Sequence, residues 1–246
     1  MHPELFKLGP VTLYSYGLFV ALGFLAATMV SGYRAKKAGL LTGKIMDLNI
    51  YSFLAAIIGA RVLYILTETA HYRQYPDQIW KIWEGGLVFY GGLIGGLLFY
   101  FWYTKRHKLD PLQTADILIP GVALGQSLGR LGCFFRGCCY GVKSGYFGVV
   151  FPDIGDNLPH VPTQLIESAA TLLIFIFLMK KKPRYKGELF VLYLLCYAPA
   201  RFLIEFLRAD ERGPELFKVL SVSQFISLLF TALAVFLYVR LRSKNS

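Results

Sequence analysis

The chain has 246 residues, of which 55% are hydrophobic and 16% aromatic, and its mean hydropathy is +0.49. That is more apolar surface than a soluble core of this length needs, so the composition describes a polytopic membrane protein. A net charge of +11 would suit nucleic acid if it formed one patch, but it is divided among the connections between apolar stretches, which excludes that partner.

Windows of about 20 apolar residues give seven spans in chain order. They run near 11–30, 48–67, 87–103, 115–135, 164–179, 189–208 and 221–239. The expectation is an all-α, seven-transmembrane-helix bundle forming a single integral-membrane domain over residues 1–246. Arg34, Lys36, Lys37 and Lys44 follow the first span, Lys105, Arg106 and Lys108 the third, Lys180, Lys181, Lys182, Arg184 and Lys186 the fifth, and Arg240, Arg242 and Lys244 the seventh. Basic residues at every second connection place the N-terminus outside and the C-terminus in the cytoplasm. The segment MHPELFKLGP has neither a basic leader nor a small-residue cleavage site, so the first span reads as an anchor rather than a removed signal. Two outward connections are long. One carries Tyr72, Tyr75, Trp80 and Trp83, suited to the headgroup level or to a plain aromatic belt. The other runs from Arg136 to Thr163.

Three spans each contain an arginine: Arg61, Arg130 and Arg201. An arginine at the centre of a spanning helix costs roughly 2.5–3.5 kcal/mol on the mildest insertion scale, so three persist only with partners or water inside the bundle. All three lie toward the outer side in this orientation, as do Tyr16 and Tyr90, and an anion site facing the outer leaflet is the expectation. In the sixth span Tyr197, Arg201, Glu205 and Arg208 recur at intervals of four, four and three and share a helical face. One of the two arginines is expected to pair with Glu205, leaving the other for a ligand. Pro199 within that helix is expected to kink it. Gly121, Gly125, Gly129 and Gly132, and the run GGLVFYGGLIGG, read chiefly as close helix packing.

Several of these stretches, in this order, resemble the bacterial phosphatidylglycerol:prolipoprotein diacylglyceryl transferases. They are YSYGLFVALGF, GARVLYIL, WKIWEGGLVFYGGLIGG, GQSLGRLGCFFRGCCYG, HVPTQLIES and YAPARFLIEFLRADERG. The resemblance implies a seven-helix bundle with a lipid-accessible cavity and a small extracytoplasmic head. It implies transfer of the diacylglyceryl group of phosphatidylglycerol to the lipobox cysteine thiol of a prolipoprotein, with glycerol phosphate released. Carried onto this chain, the phosphate-binding arginine of the GR-x-G signature is Arg130, with Gly129 beside it. The essential arginine of the sixth span is Arg201, with Tyr197 four residues before it. Tyr16 matches the first-span tyrosine and Arg61 the second-span arginine, and Arg208 is grouped with the substrate-binding residues.

Three positions depart from the family pattern. Tyr90 stands for a histidine that is a candidate base, and Cys133 and Cys138 stand for an asparagine and a glutamate. A phenol is a poor base near neutral pH unless arginines act on it. No cofactor is expected. The partners implied are phosphatidylglycerol, the prolipoprotein signal peptide and membrane lipids. Cys133, Cys138 and Cys139 lie at the outer end of the fourth span and Cys196 deep in the sixth. With no second CxxC and no close histidine, the spacing argues against a zinc site. A disulfide, a lipid-accepting thiolate at Cys138 or Cys133, and simple packing remain open. Two other functions stand beside the leading one, a relative with a different acceptor and a lipid or anion transporter. Arginines confined to the outer side and the lack of an inverted repeat count against transport.

Overall fold

The computed structural model describes residues 4–8, 11–81, 85–209 and 220–244. Trp83 and the segment Asp210–Gly213 of the sixth-span motif lie outside the described residues. The described chain is mostly helical, with β1 (Glu4–Leu8), β2 (Val11–Tyr14), α1 (Ser15–Lys37), α2 (Thr42–Thr67), α3 (Thr69–Gln74), α4 (Phe89–Arg106), α5 (Pro111–Arg136), β3 (Val149–Val150), β4 (Pro159–His160), α6 (Thr163–Lys180), α7 (Glu188–Glu205) and α8 (Val222–Lys244). Among these, α1, α2, α5, α6 and α8 are long and apolar enough to cross a membrane. The other two predicted positions are occupied by α4 and α7, of 18 residues each. Their apolar windows are diluted by Lys105 and Arg106 in α4 and by Glu188, Arg201 and Glu205 in α7.

Helix boundaries shift by a few residues from the hydropathy reading, and two of the shifts have a cause in the backbone. The first helix begins at Ser15 and not at Val11, because Val11–Tyr14 pairs with Glu4–Leu8 as an antiparallel ladder. The sixth-span helix stops at Glu205 because the chain tightens there, with Phe206, Leu207 and Arg208 donating to carbonyls three residues back. Beyond that turn Arg208 bridges antiparallel to Gly141. Among the described residues, two short two-stranded sheets therefore accompany the helices.

The chain divides into two compact units, one of residues 1–31 and 115–246, the other of residues 32–114. In the second unit α2 packs against α4 through glycines. A Cβ on Gly91 would fall well inside contact distance of the Gly59 carbonyl oxygen, and one on Gly59 would do the same to Gly91. Backbones that close gain dispersion that side chains would block, and this packing replaces the hydrophobic effect between helices in lipid. Gly91→Ala is expected to destabilise the unit by about 1–3 kcal/mol through overpacking, read as a lower unfolding temperature in detergent. An unchanged transition would contradict this helix contact.

In the first unit Ile119, Ala123, Ile174, Leu178, Leu189 and Tyr193 form the buried core shared by α5, α6 and α7. Helix α1 comes close to α5 where a Cβ on Gly121 would lie 2.6 Å from the Ala27 carbonyl oxygen. Several of the polar groups buried among these helices are paired. Ser127 Oγ donates to the Ser168 carbonyl at 2.9 Å and Ser168 Oγ to the Ser127 carbonyl at 2.9 Å, and Tyr193 donates to Gln126 Oε1 at 2.7 Å. At the far end from Arg130, Asp116 of α5 accepts from the backbone N–H of Gly187 at 2.7 Å and of Phe190 at 3.0 Å. A carboxylate from another helix thus satisfies donors at the α7 start, where the helix dipole favours negative charge. The register of α7 along α5 is thereby set, and with it the height of Tyr197 and Arg201.

Candidate functional site

Helices α5, α6 and α7 each supply one member of a buried polar cluster. Arg130 Nη2 lies 2.9 Å from Glu167 Oε1, and the Tyr197 hydroxyl donates to the same oxygen at 3.0 Å. The Glu167 side chain is 2% exposed, against 22% for Arg130. A carboxylate that deep persists only with both charge and hydrogen bonds supplied to it, and Glu167 receives one of each. The guanidinium is therefore held in place on its inner edge while part of its fork of donors stays accessible. Beside it, a Cβ on Gly129 would meet no atom within 4 Å, so the backbone next to Arg130 is not closed off by a neighbouring helix. Glu167 was not singled out from sequence, although an ionisable residue inside an apolar span is itself a signal.

Arg201 Nη1 lies 2.6 Å from Glu205 Oε2, one turn along α7. The other oxygen of Glu205 accepts from Ser221 Oγ at 2.7 Å, and Arg201 Nη2 donates to Ser223 Oγ at 3.2 Å. Glu205 thus ties Arg201 to the start of α8, and of the two arginines on that helical face it is Arg201 that pairs with Glu205. Arg208 lies in the strand-like segment against Gly141. Helix α7 runs through Pro199 without interruption. Tyr193 and Tyr197 stack at 5.5 Å between centroids, which fixes the Tyr197 ring. Tyr16, the second residue of α1, is 41% exposed, and both its backbone and one edge of its ring lie beside Gly132.

The second unit holds Arg61 and Tyr90. Arg61 donates through Nε to the Ile79 carbonyl at 2.9 Å, through Nη1 to Gly85 at 2.8 Å, and through Nη2 to Gln78 at 2.6 Å. Its guanidinium also faces the rings of Tyr64 and Tyr72, at 5.8 and 5.4 Å. All three guanidinium nitrogens go to the loop after α3, so the geometry assigns Arg61 to holding that loop. Tyr90 is 43% exposed and packs its ring edge against Phe89.

At the C-terminal end of α5 Cys133, Cys138 and Cys139 converge. Their Sγ atoms all lie within 4.8 Å of one another, with Cys133 buried and the other two partly so. All four cysteines are free thiols, and Cys196 packs against the helix core. Cys139 is held below the ordinary thiol range by the thiols of Cys133 and Cys138 hydrogen-bonding to it, helped by Arg208 and Arg130.

The loop beyond is stapled by its own charges. His160 bonds the Gly141 carbonyl through Nδ1 at 2.9 Å and Asp156 through Nε2 at 3.1 Å, and Lys143 pairs with Asp156 at 3.1 Å. The Leu158 backbone N–H, then His160 and Lys143, hold the Asp156 carboxyl down at about 2. Because its folded pKa lies below the unfolded value, the stabilisation is complete above about pH 4 and is lost as pH falls toward 2. Protection of the loop amides, measured as exchange relative to the intrinsic rate at each pH, is expected to fall over that window in the wild type and to stay level in Asp156→Asn.

The sequence profile of the prolipoprotein diacylglyceryl transferase family matches residues 3–240. A phosphatidylglycerol–prolipoprotein diacylglyceryl transferase of Clostridium tetani is 37% identical over 244 residues, covering 97% of both chains. A second such enzyme of Clostridium perfringens is 36% identical over 92% of this chain and 90% of its own. One from Streptococcus equi subsp. zooepidemicus is 34% identical over 100% of this chain and 97% of its own.

Proposed function

Because the chain belongs to the prolipoprotein diacylglyceryl transferase family, we propose that it takes the diacylglyceryl group from phosphatidylglycerol and places it on the lipobox cysteine thiol of prolipoproteins. This is the first step of bacterial lipoprotein maturation, and it releases glycerol phosphate. The observation that carries the reading is the anchored guanidinium of Arg130, held from behind by Glu167 and Tyr197 and open beside Gly129.

The chemistry needs a cation fixed where charge grows on the departing phosphate. A donor already aimed there avoids reorganisation during the reaction, and the arginine fork matches two phosphate oxygens at once. Arg130 takes the phosphate. Arg201, set by Glu205 and the α8 serines, is the second cationic contact, and Arg208 supports the donor headgroup from the adjacent strand-like segment. Tyr197 positions Glu167, and through it Arg130. Tyr16 contacts the donor lipid where α1 begins. Arg61 acts as a positioning residue through the loop that it holds.

In this reading the seven long helices all span the cytoplasmic membrane, with the N-terminus outside and the C-terminus in the cytoplasm. The segment containing β3 and β4 forms a small extracytoplasmic head. We read residues 1–246 as a single integral-membrane transferase domain, a reading supported by a family match that runs through both compact units.

Expression in cells depleted of their own diacylglyceryl transferase tests the function. Prolipoprotein is expected to regain its lipid and be processed. Persistent unmodified prolipoprotein in cells that hold this chain in their membrane would contradict the proposal.

A further inference from the structure

Three thiols from two kinds of backbone meet at the outer end of α5. Cys133 belongs to the helix, whereas Cys138 and Cys139 lie past its end, and yet all three Sγ atoms fall within 4.8 Å of one another. The backbone that brings them together is unusual. Cys139 has a φ of +68°, a left-handed conformation that residues with a Cβ adopt at a cost. It is kept there by buried neighbours, since Thr163 Oγ1 donates to the Cys139 carbonyl at 2.6 Å and Gln164 Nε2 to the Cys138 carbonyl at 2.6 Å. The Cys138 N–H closes onto the Cys133 carbonyl at 3.2 Å. Packing three small thiols requires none of this, whereas holding three sulfurs at one point does.

Tetrahedral zinc with Zn–S bonds of about 2.3 Å sets its sulfurs about 3.8 Å apart. Closing this cluster onto an ion therefore asks each sulfur to move by less than about an ångström. Three thiolates with one open position match the pattern of zinc sites that act on a bound substrate, whereas structural sites fill all four positions.

We propose that Cys133, Cys138 and Cys139 bind one Zn²⁺ as thiolates, and that the fourth position receives the sulfur of the acceptor cysteine, making it the nucleophile for transfer. The inference rests on the proposed transferase function. It replaces the expectation, drawn from spacing alone, that no metal binds.

The acceptor thiol has to lose its proton, and the carboxylate beside Arg130 is already engaged, because Glu167 holds both Arg130 and Tyr197. A thiol that coordinates Zn²⁺ is deprotonated by the ion itself, and its proton passes to water. The bound sulfur then attacks the glyceryl carbon that carries the phosphate ester. The S–C bond forms, the C–O bond breaks, and the electron pair moves onto the phosphate oxygen of the departing glycerol phosphate. Arg130, three residues before Cys133 on the same helix, stands where that charge appears. The metal raises the nucleophile and the arginine receives the leaving group, so both ends of one displacement are served from α5 and the loop that follows it.

The test uses full-length protein in detergent, reduced and stripped of metal, then titrated with Zn²⁺ or Co²⁺. Wild type is expected to bind one ion per chain, and Cys133→Ser, Cys138→Ser and Cys139→Ser each to bind more than about a hundredfold more weakly, beyond what loss of a supporting contact costs. In the Co²⁺ form, a lipobox peptide should strengthen the sulfur-to-metal absorption, and the same peptide with serine for cysteine should not. Stripped wild type should lose transfer and recover it with Zn²⁺, a comparison that does not depend on how the serine variants fold. Wild-type binding no tighter than that of the triple serine variant would overturn the site. Full transfer by stripped wild type would overturn its role while leaving the transferase function standing. One ion per chain and a response to the peptide, without any transfer, would support the site and retire the function.

Discussion

Replacing Arg130 by alanine is expected to cut diacylglyceryl transfer by about a hundredfold to a thousandfold, the usual cost of removing one preorganised donor from a developing oxyanion. The effect should fall mainly on turnover, because the interaction strengthens as the phosphate departs. Lysine at the same position should recover little. It offers one compact charge in place of a planar fork, and its ammonium cannot hold Glu167 and two phosphate oxygens together. The measurement is initial rate with phosphatidylglycerol and a lipobox peptide, on protein whose unfolding transition is recorded alongside. Wild-type turnover in Arg130→Ala would remove the phosphate assignment.

The second large effect belongs to Glu167. Truncation to alanine leaves Arg130 without its buried partner and Tyr197 without an acceptor. Breaking a buried pair from one side costs about 3–5 kcal/mol, and the partial exposure of Arg130 places the expected loss near the lower end, about 3 kcal/mol. Glu167→Ala should therefore unfold at a clearly lower temperature and also transfer poorly, because the guanidinium is no longer held. Glu167→Gln keeps an acceptor for Tyr197 and should fall between wild type and alanine in stability. Alanine and wild type that unfold together would mean the cluster is not the anchor described above.

The helices and their order were legible in the apolar runs, because a bilayer demands long apolar windows and leaves few alternatives. The hairpin before α1 was not, since Val11–Tyr14 is apolar enough to read as the start of a span and only pairing with Glu4–Leu8 removes it. Of the site, the arginines stood out because each is costly in lipid, and the four-residue spacing of Arg201 and Glu205 led to their ion pair. The destination of Arg61 was hidden, because its partners are main-chain carbonyls 17 to 25 residues away, and carbonyls leave no trace in sequence. Glu167 was passed over for a related reason. It is four helical residues after Thr163 on a different helix from Arg130, and nothing local links the two. The convergence of the cysteines was hidden for another reason. Their spacing lacks the paired pattern of common zinc motifs, and only the helix end followed by the left-handed Cys139 brings three sulfurs together.

The central claim is that this chain moves a diacylglyceryl group from an anionic phospholipid to a cysteine thiol. Purified full-length protein, phosphatidylglycerol and a lipobox peptide, analysed by mass spectrometry, test it most directly. The expected product is a peptide heavier by one diacylglyceryl group, thioether-linked at cysteine, with glycerol phosphate formed in equal amount, none from the serine peptide and about a hundredth or less of the wild-type rate from Arg130→Ala. A peptide left unmodified by well-folded wild-type protein, or modified equally by Arg130→Ala, would contradict it.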